Sequence, residues 1–436
     1  MLVPYSVANF KSFRDPAELS LKASTQRPLS KVLIRRRNLR LLPSLVIYGA
    51  NASGKSNLIA SFLVLKRFVL SGTIRLASRS RPLELLPFAH AKAGHPMSFE
   101  IDFIQNDFRL IYRLAVDCDF LQKGNERIAS EGLSCVDKKE HVAFFTREFN
   151  RVTLSREKKA LRMMGLDSAL VDTFEKRINA NLDSTELFLS RAFKNTINND
   201  LADAVISFFR DRLLVVTDFV TKRRRVLLDS EVSREDYMVW NDVLDAFVKG
   251  FDFGPQSLRF IPRDAEDDSS GEGSADLRLV SEYAVPEGHS VSIPSELMES
   301  RGTLKLVYFA VAFSSLFDEG GVFVLDEFDS SIHPELIKEI LQLFNDPDVN
   351  RAGAQLIFTT HNPIYLDRGI LRRDQIRFVE KSADICGSYI YSLADFGSTE
   401  VRSGHNYLTN YFKGRYGALP FIDLSSLLAE SGGKEG

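Results

Sequence analysis

Residues 46–57 read VIYGANASGKSN, and this stretch decides the class of fold more firmly than any other part of the chain. From Gly49 to Ser56 it matches G-x-x-x-x-G-K followed by Ser or Thr at every fixed position. The apolar run before the loop predicts a buried strand, and the amphipathic run after it predicts a helix. Such glycines let backbone N–H groups turn toward phosphate oxygens, and the helix start adds positive potential, so we predict a nucleotide-binding loop.

The side chains of this loop have separate predicted tasks in holding ATP and Mg²⁺. The Lys55 ammonium would reach the β- and γ-phosphates, and the Ser56 hydroxyl would ligate Mg²⁺. The loop residues predicted to contact the nucleotide are Gly49, Asn51, Gly54, Lys55, Ser56 and Asn57.

The stretch GGVFVLDEFD, residues 320–329, supplies a second motif. Its four apolar residues, Val322 to Leu325, predict a buried strand that ends in two acids. An acid at the end of such a strand can hold Mg²⁺, and the next carboxylate can orient and deprotonate an attacking water. We therefore predict Asp326 as the metal-binding acid and Glu327 as the catalytic base.

A third strand, in LIFTTHNP at residues 356–363, ends at His361. A histidine placed there could sense or stabilise a γ-phosphate by hydrogen bonding. A lone histidine is more often structural, so the predicted catalytic role of His361 depends on the two motifs before it.

The remaining pattern predicts an α/β fold in which a mixed sheet is flanked by helices. Strand-like segments fill the first 30 residues and residues 97–116, where Asn106-Asp107 would form a hairpin turn. Helical spacing dominates from about residue 156 to residue 250, and strands alternate with helices after residue 300. We accordingly expect an N-terminal lobe with the glycine loop, a mainly helical insertion and a C-terminal lobe, at residues 1–150, 151–255 and 256–436.

Charge is nearly balanced over the 436 residues, with a formal net charge of −2. A positive field over the whole protein for gripping nucleic acid is therefore absent. Basic clusters at residues 35–37 and 222–225 could contact nucleic-acid phosphates or a phage protein, although a solvated charge run is the commoner meaning. The acidic, Ser- and Gly-rich residues 264–276 predict a mobile loop.

Cysteine use and hydropathy favour a cytoplasmic protein. The three cysteines are widely spaced and form no C-x-x-C motif, which argues against a disulfide framework or a zinc site; they are Cys118, Cys135 and Cys386. No signal-peptide core is present at the N-terminus, and no uncharged apolar run reaches the roughly 18 residues of a membrane-spanning helix.

The order of the motifs resembles the ABC-type ATPase heads shared by SMC, RecF and OLD-family proteins. The segments that carry the resemblance follow the glycine loop and read LMESRGTLKL, VFVLDEFDSSIHPEL and TTHNP. The resemblance implies a signature motif at Ser300, Gly302 and Thr303 that contacts ATP held by a second protomer. It therefore implies a homodimer, or a higher homo-oligomer, that sandwiches ATP and Mg²⁺. Taken alone, the signature residues would also suit a helix cap.

Two further stretches resemble a narrower group. NFKSF, at residues 9–13, is similar to the start of these heads, and NYFKGRYGALP, at residues 410–420, is similar to the end of stand-alone ABC-like AAA ATPases. That group belongs to bacterial anti-phage and abortive-infection systems. Its members are of the AbiL kind and are often encoded beside an RloB-like partner. The ATPase of the PARIS system is a relative of the group. The resemblance implies a sensor or regulator of a separate effector, an RloB-like or Toprim nuclease or a toxin.

Several features depart from the pattern or stay open. A Q-loop glutamine is not evident; the segment around Phe88 is where it would be expected. No long heptad array suggests an SMC-type tether, and the 75 residues after His361 are too few for a Toprim domain. In the C-terminal segment a partner-docking surface and a simple closing segment are both open, and the residues concerned are Arg402, Lys413, Arg415 and Tyr416.

Three functions are thus open. The leading hypothesis is an ATP-hydrolysing regulator of a defence effector. The alternatives are a DNA repair or maintenance ATPase of the RecF/SMC type, which would bind DNA tightly and in a salt-sensitive way, and an oligomeric scaffold whose hydrolysis is incidental.

Overall fold

The computed structural model describes most of the chain, in thirteen ranges: 1–75, 85–89, 95–106, 108–118, 126–138, 140–196, 199–217, 234–250, 254–262, 277–286, 288–382, 387–397 and 406–420. Some predictions fall outside these ranges. They are the basic cluster 222–225, the acidic segment 264–276, and residues Asp107, Cys386 and Arg402.

Strands and helices alternate along the chain. The strands are β1 Leu2–Ala8, β2 Ala17–Ser20, β3 Ile34–Arg36, β4 Leu39–Leu41, β5 Ser44–Tyr48, β6 Met97–Gln105, β7 Phe108–Asp117, β8 Arg127–Asp137, β9 Glu140–Glu148, β10 Arg151–Leu154, β11 Leu213–Val216, β12 Ser257–Pro262, β13 Leu277–Ala284, β14 Ser290–Pro294, β15 Val322–Leu325, β16 Gln355–Thr359, β17 Ile376–Lys381 and β18 Ser388–Ser392. The α-helices are α1 Lys55–Ser71, α2 Lys158–Met164, α3 Val171–Asn181, α4 Lys194–Thr196, α5 Asn199–Ser207, α6 Arg234–Gly250, α7 Ser295–Met298, α8 Arg301–Glu319, α9 Pro334–Asn345 and α10 Tyr407–Phe412. Two π-helical segments span Leu189–Phe193 and Phe208–Arg212.

A six-stranded sheet organises the nucleotide motifs. Its order is β11-β15-β16-β5-β17-β18, and every neighbouring pair is parallel except β17 with β18. The loops after β5, β15 and β16 therefore leave the same edge of the sheet, as the carboxyl ends of parallel strands must. The predicted mixed sheet flanked by helices is confirmed.

An antiparallel sheet of seven strands, in the order β10-β9-β8-β7-β6-β1-β2, forms the second layer. The predicted hairpin is confirmed, because Gln105 pairs with Phe108 and Asn106 has the positive φ of 52° that a tight turn needs. Smaller sheets join β12, β13 and β14, and β3 with β4.

Helix α1 lies between the two large sheets. In β5, Leu45 and Ile47 pack into a cluster with α1 and the seven-stranded sheet. Val46 and Tyr48, on the opposite face, pack with side chains of α8 and α9. Burial on both faces explains why this strand is a continuous apolar run.

Residues 158–212 are mainly helical, as the sequence predicts, but the region around them also contributes strands. Strand β10 is the edge of the seven-stranded sheet, and β11 pairs with β15 in the six-stranded sheet. Within the described ranges, no helix combines the length and the apolarity that crossing a bilayer requires.

Candidate functional site

The glycine loop joins β5 to α1, as predicted. Gly54 caps the helix with φ of 112°, a left-handed conformation that favours glycine. The Lys55 side chain is buried, and its Nζ donates to the carbonyl oxygens of Gly49 at 2.8 Å and Ala50 at 3.0 Å. Ser56 and Asn51 are exposed. The lysine ammonium thus lies inside the curl of the loop, where it can meet a phosphate.

Residues distant in sequence hold this loop in place by hydrogen bonds. Ser388 donates from its Oγ to the Ser53 carbonyl at 2.5 Å and from its N–H to the Ser12 carbonyl at 2.6 Å. The Asn57 amide donates to Ser12 Oγ at 2.9 Å. A Cβ on Gly54 would lie 2.4 Å from Ser388 Oγ, so the braces leave no room for a side chain there.

Strand β15 delivers the two predicted acids to the same edge. Thr359, the last residue of β16, donates from Oγ1 to Asp326 Oδ1 at 2.5 Å. The same Oγ1 accepts the Glu327 N–H at 2.8 Å. Glu327 has φ of 45°, and its side chain is 58 % exposed. Thr359 therefore fixes the Asp326 carboxylate while the Glu327 carboxylate faces the open side of the site.

His361 follows two residues after β16 and lies beside Glu327. Its Nε2 is 3.8 Å from Glu327 Oε1. Burial lowers the pKa of His361, and the charge of Lys55 lowers it further; Glu327, Asp329 and Asp326 act in the opposite direction. The imidazole is therefore neutral at neutral pH and can donate one hydrogen bond while accepting another.

Charges and hydrogen bonds couple the glycine loop to the loops after β15 and β16. Burial lowers the pKa of Lys55 to about 8, against the opposing effect of the Asp326 and Glu327 carboxylates. Asp329 accepts from Thr360 Oγ1 at 2.7 Å, which ties the loop after β15 to the loop after β16. An open cleft of about 420 Å³ lies at this junction and is lined by Glu327, Asp329, Ser330, His361, Asn362 and Pro363.

The predicted signature residues lie at the start of α8. Ser300 caps this helix by accepting the Thr303 N–H at 3.1 Å. Gly302 packs against the loop after Glu327, since an added Cβ would lie 2.0 Å from the Ser331 carbonyl oxygen. Across the described ranges, no hydrogen bond joins Ser300, Gly302 or Thr303 to the glycine loop of the same chain.

Lys305 connects α8 to the loop after β15, and the sequence analysis did not predict it. It is buried, and its Nζ donates to the carbonyl oxygens of Glu327 at 2.8 Å and Ser330 at 3.3 Å. A lysine on the apolar face of LKLVYFAVAF was the available signal. Thr359 was likewise detectable as a polar residue ending an apolar strand, whereas nothing in the sequence pairs Ser12 with Ser388.

The donor set fits Mg²⁺ bound together with phosphates. Ser56 and Asp326 offer a hydroxyl and a carboxylate, and Mg²⁺ in such sites takes one or two protein oxygens plus phosphate and water. The described residues contain no cluster of three or more His, Cys, Asp or Glu that could hold a metal ion.

The remaining predictions are resolved in part. Phe88 donates its N–H to Asn9 Oδ1 at 3.0 Å, which places the expected Q-loop segment against the NFKSF stretch, without a glutamine. Tyr416 is buried and offers no exposed surface to a partner. Its carbonyl oxygen accepts a hydrogen bond from the Tyr391 hydroxyl, and its ring packs on Phe378. For Tyr416 burial favours the closing segment of the two open alternatives, while Lys413 and Arg415 are exposed.

Comparisons with known proteins give a partial match to a family model and several similar solved structures. A family model described as "AAA domain, putative AbiEii toxin, Type IV TA system" matches residues 173–367, less than half of the chain. The solved structures that are similar include an Smc head bound to the C-winged helix domain of ScpA, with 17 % identity, TM-score 0.41 and coverage of 90 % of this chain and 97 % of that one. Another is the SMC head domain from Thermotoga maritima, with 16 % identity, TM-score 0.35 and coverage of 90 % and 98 %. No curated protein matches the chain. The matched range is described as an AAA domain, and it includes Asp326, Glu327 and His361.

Proposed function

We propose that this protein binds ATP with Mg²⁺ and hydrolyses the γ-phosphate bond. One observation carries the proposal: the carboxyl ends of the adjacent strands β15, β16 and β5 bring Asp326, Glu327 and His361 together with the glycine loop. Each residue type there matches one requirement of phosphoryl transfer to water, and none is explained by packing alone.

Each side chain of the site has a separate role in the proposed ATP hydrolysis. The Lys55 ammonium and the loop N–H groups hold the phosphates, and Ser56 and Asp326 hold Mg²⁺, which when bound neutralises phosphate charge. The Glu327 carboxylate orients a water and accepts its proton. His361, neutral and 3.8 Å from Glu327, donates a hydrogen bond toward the γ-phosphate and helps to keep the water in line.

ATP turnover by purified protein tests these roles. Lys55→Ala should abolish ATP binding, because the buried ammonium is lost. Glu327→Gln should bind ATP as tightly as the natural protein but hydrolyse it at least about a hundredfold more slowly, since general-base catalysis contributes a factor of that order. Normal turnover by Glu327→Gln would show that another group is the base.

A second part of the proposal is that ATP joins two copies. Ser300 and Thr303 are not engaged with the glycine loop of their own chain, and Ser300 is exposed at the start of α8. The positive potential at the start of a helix suits a γ-phosphate presented by another protomer. Two such sites would then be formed by a homodimer or within a larger homo-oligomer.

We further propose that the ATP-dependent assembly regulates a separate effector in anti-phage defence within the cytoplasm. Support comes from the resemblance to abortive-infection ATPases and from the matched family, whose description names a toxin of a type IV toxin–antitoxin system. The effector would be an RloB-like or Toprim nuclease, or another toxin, encoded beside this chain.

Co-expression with the neighbouring gene tests this role. The pair should reduce phage yield only when Lys55 is intact, while Lys55→Ala with the same neighbour should not protect. Protection that survives Lys55→Ala would contradict ATP control. Tight, salt-sensitive binding of the isolated protein to duplex DNA, without any defence effect, would favour the repair alternative.

A further inference from the structure

A cleft at one end of the seven-stranded sheet shares no residue with the ATP site. It holds about 580 Å³, within the range of roughly 300–1,000 Å³ typical of small-molecule sites. Five cations line it: Arg37 from the turn between β3 and β4, Arg109 from β7, and Lys158, Lys159 and Arg162 from α2. We name it the basic cleft. Residues more than a hundred positions apart in sequence thus place like charges together.

The acids around the basic cleft neutralise only part of this charge. Arg109 makes a two-point ion pair with Asp102, at 3.0 and 2.6 Å. Lys159 lies 2.8 Å from Asp137 and 2.9 Å from Glu140, and its hydrogen bond is the main reason that the pKa of Asp137 is lowered.

The other three cations are Arg37, Lys158 and Arg162. Lys158 and Arg162 are exposed, and neither forms an ion pair with any carboxylate in the ranges that the structure describes. Folding brings these two side chains, with Arg37, to the rim of one cavity, although like charges repel each other there. A bound anion would remove that repulsion.

Apart from Asp137, which pairs with Lys159, apolar side chains form the rest of the wall. Phe108 is half-buried, Val136 and Cys135 are buried, and Met163 lies against them with its Sδ 3.9 Å from Cys135 Sγ. Inorganic phosphate alone would gain nothing from such a wall. A ligand with a ring system would, because aromatic and thioether groups pack well on flat rings.

We propose that the basic cleft binds a phosphorylated nucleotide unit, with its phosphate at Lys158 and Arg162 and its base against Phe108 and Met163. The unit could be a free mononucleotide or one residue of a single strand, since both present the same phosphate and ring. The assignment does not depend on ATP chemistry at the glycine loop.

Fluorescence anisotropy on the full chain carrying Lys55→Ala, which disables the glycine loop, tests the proposal. The probes are a fluorescent adenosine monophosphate and a short, labelled, 5′-phosphorylated single-stranded DNA. The test variant adds Lys158→Glu and Arg162→Glu. Its matched control adds Lys176→Glu and Arg177→Glu, the same charge change on the exposed face of α3. Circular dichroism checks that both variants are folded.

Reversal of Lys158 and Arg162 should weaken binding about tenfold or more, as the loss of charge-assisted hydrogen bonds predicts, while the α3 control should bind as before. Binding of both probes would identify a free nucleotide as sufficient, and binding of the DNA alone would identify a strand. Absence of binding to either probe, or equal weakening in both variants, would overturn the proposal.

Discussion

Lys305 is a buried charge that we expect to position Glu327, the proposed catalytic base, without touching substrate. Its ammonium donates to the Glu327 and Ser330 carbonyl oxygens. Burial lowers its pKa, and the carboxylates of Asp329, Glu327 and Asp326 oppose that effect. Because the Glu327 backbone is in the left-handed region, at φ of 45°, an external donor helps to hold it there.

Replacing Lys305 by Met should therefore slow the chemical step. The two carbonyls would lose a charged donor worth roughly 1.5–3 kcal/mol, so kcat should fall about ten- to a hundredfold while the KM for ATP changes little. Steady-state ATPase kinetics measures both constants. Lys305→Arg, which retains a donor, should recover part of kcat. An equal rise in KM with unchanged kcat would assign Lys305 to ATP binding instead.

If ATP binds as proposed, the protonation of Lys55 makes its affinity depend on pH. In the free protein the pKa of Lys55 is about 8, and a bound phosphate favours the charged ammonium and raises that pKa. ATP affinity should thus be constant well below pH 8 and fall by up to about tenfold per pH unit above it. Titration of a fluorescent ATP analogue across this range gives the profile.

Lys55→Arg is the control for that profile, because a guanidinium stays charged throughout. Its weaker affinity should be nearly independent of pH over the same interval. Parallel profiles in the natural protein and Lys55→Arg would mean that the pH dependence arises from another group.

At the scale of elements, the buried Glu131 joins the helical segment after residue 187 to the seven-stranded sheet. Its carboxylate accepts the N–H groups of Phe188 and Leu189 at 2.8 and 2.9 Å and the Tyr112 hydroxyl at 3.0 Å. Arg147, also fully buried, lies 3.5 Å away and donates to the carbonyl oxygens of Asp183 and Glu186, just before that segment. The pair thus connects β8 and β9 to the first π-helical segment.

Glu131→Leu should destabilise the protein by about 3–5 kcal/mol, because Arg147 would keep a buried charge without its carboxylate. Urea unfolding followed by circular dichroism measures the loss. Glu100→Gln removes the exposed ion pair with Arg113 in the same sheet and should cost less than about 1 kcal/mol. Similar losses in both variants would contradict a special contribution from Glu131.

The elements that carry motifs were predictable because local pattern and tertiary role agree. Strand β5, helix α1 and strand β15 are apolar runs attached to recognisable loops. Strand β11 was not predicted, since LLVV directly follows a helical pattern and a run that short does not distinguish strand from helix. The contact of Ser12 with Ser388 and the presence of Arg37 and Arg162 in one cleft depend on the tertiary fold and leave no local signal.

At the scale of the whole molecule, the proposed ATP sandwich predicts a change of mass. Glu327→Gln should elute as a dimer with ATP and as a monomer without it, because slow hydrolysis preserves the joining ligand. Adding Ser300→Arg should prevent dimerisation by placing a bulky side chain at the signature, with ATP binding retained. Light scattering coupled to gel filtration measures the mass.

The matched control for Ser300→Arg is Ser168→Arg, which alters an exposed serine remote from α8 and should leave the ATP-dependent dimer intact. If Glu327→Gln stays monomeric at saturating ATP, the signature residues do not complete a second protomer's site.

The position of β5 has a consequence for synthesis on the ribosome. This strand is made within the first fifty residues, yet its neighbours in the sheet are β16 and β17, and the brace at Ser388 comes later still. A nascent chain that has passed residue 57 therefore carries the glycine motif without the walls that shape it. ATP binding should begin only after about residue 388 has left the ribosome. Unfinished chains should therefore not bind ATP.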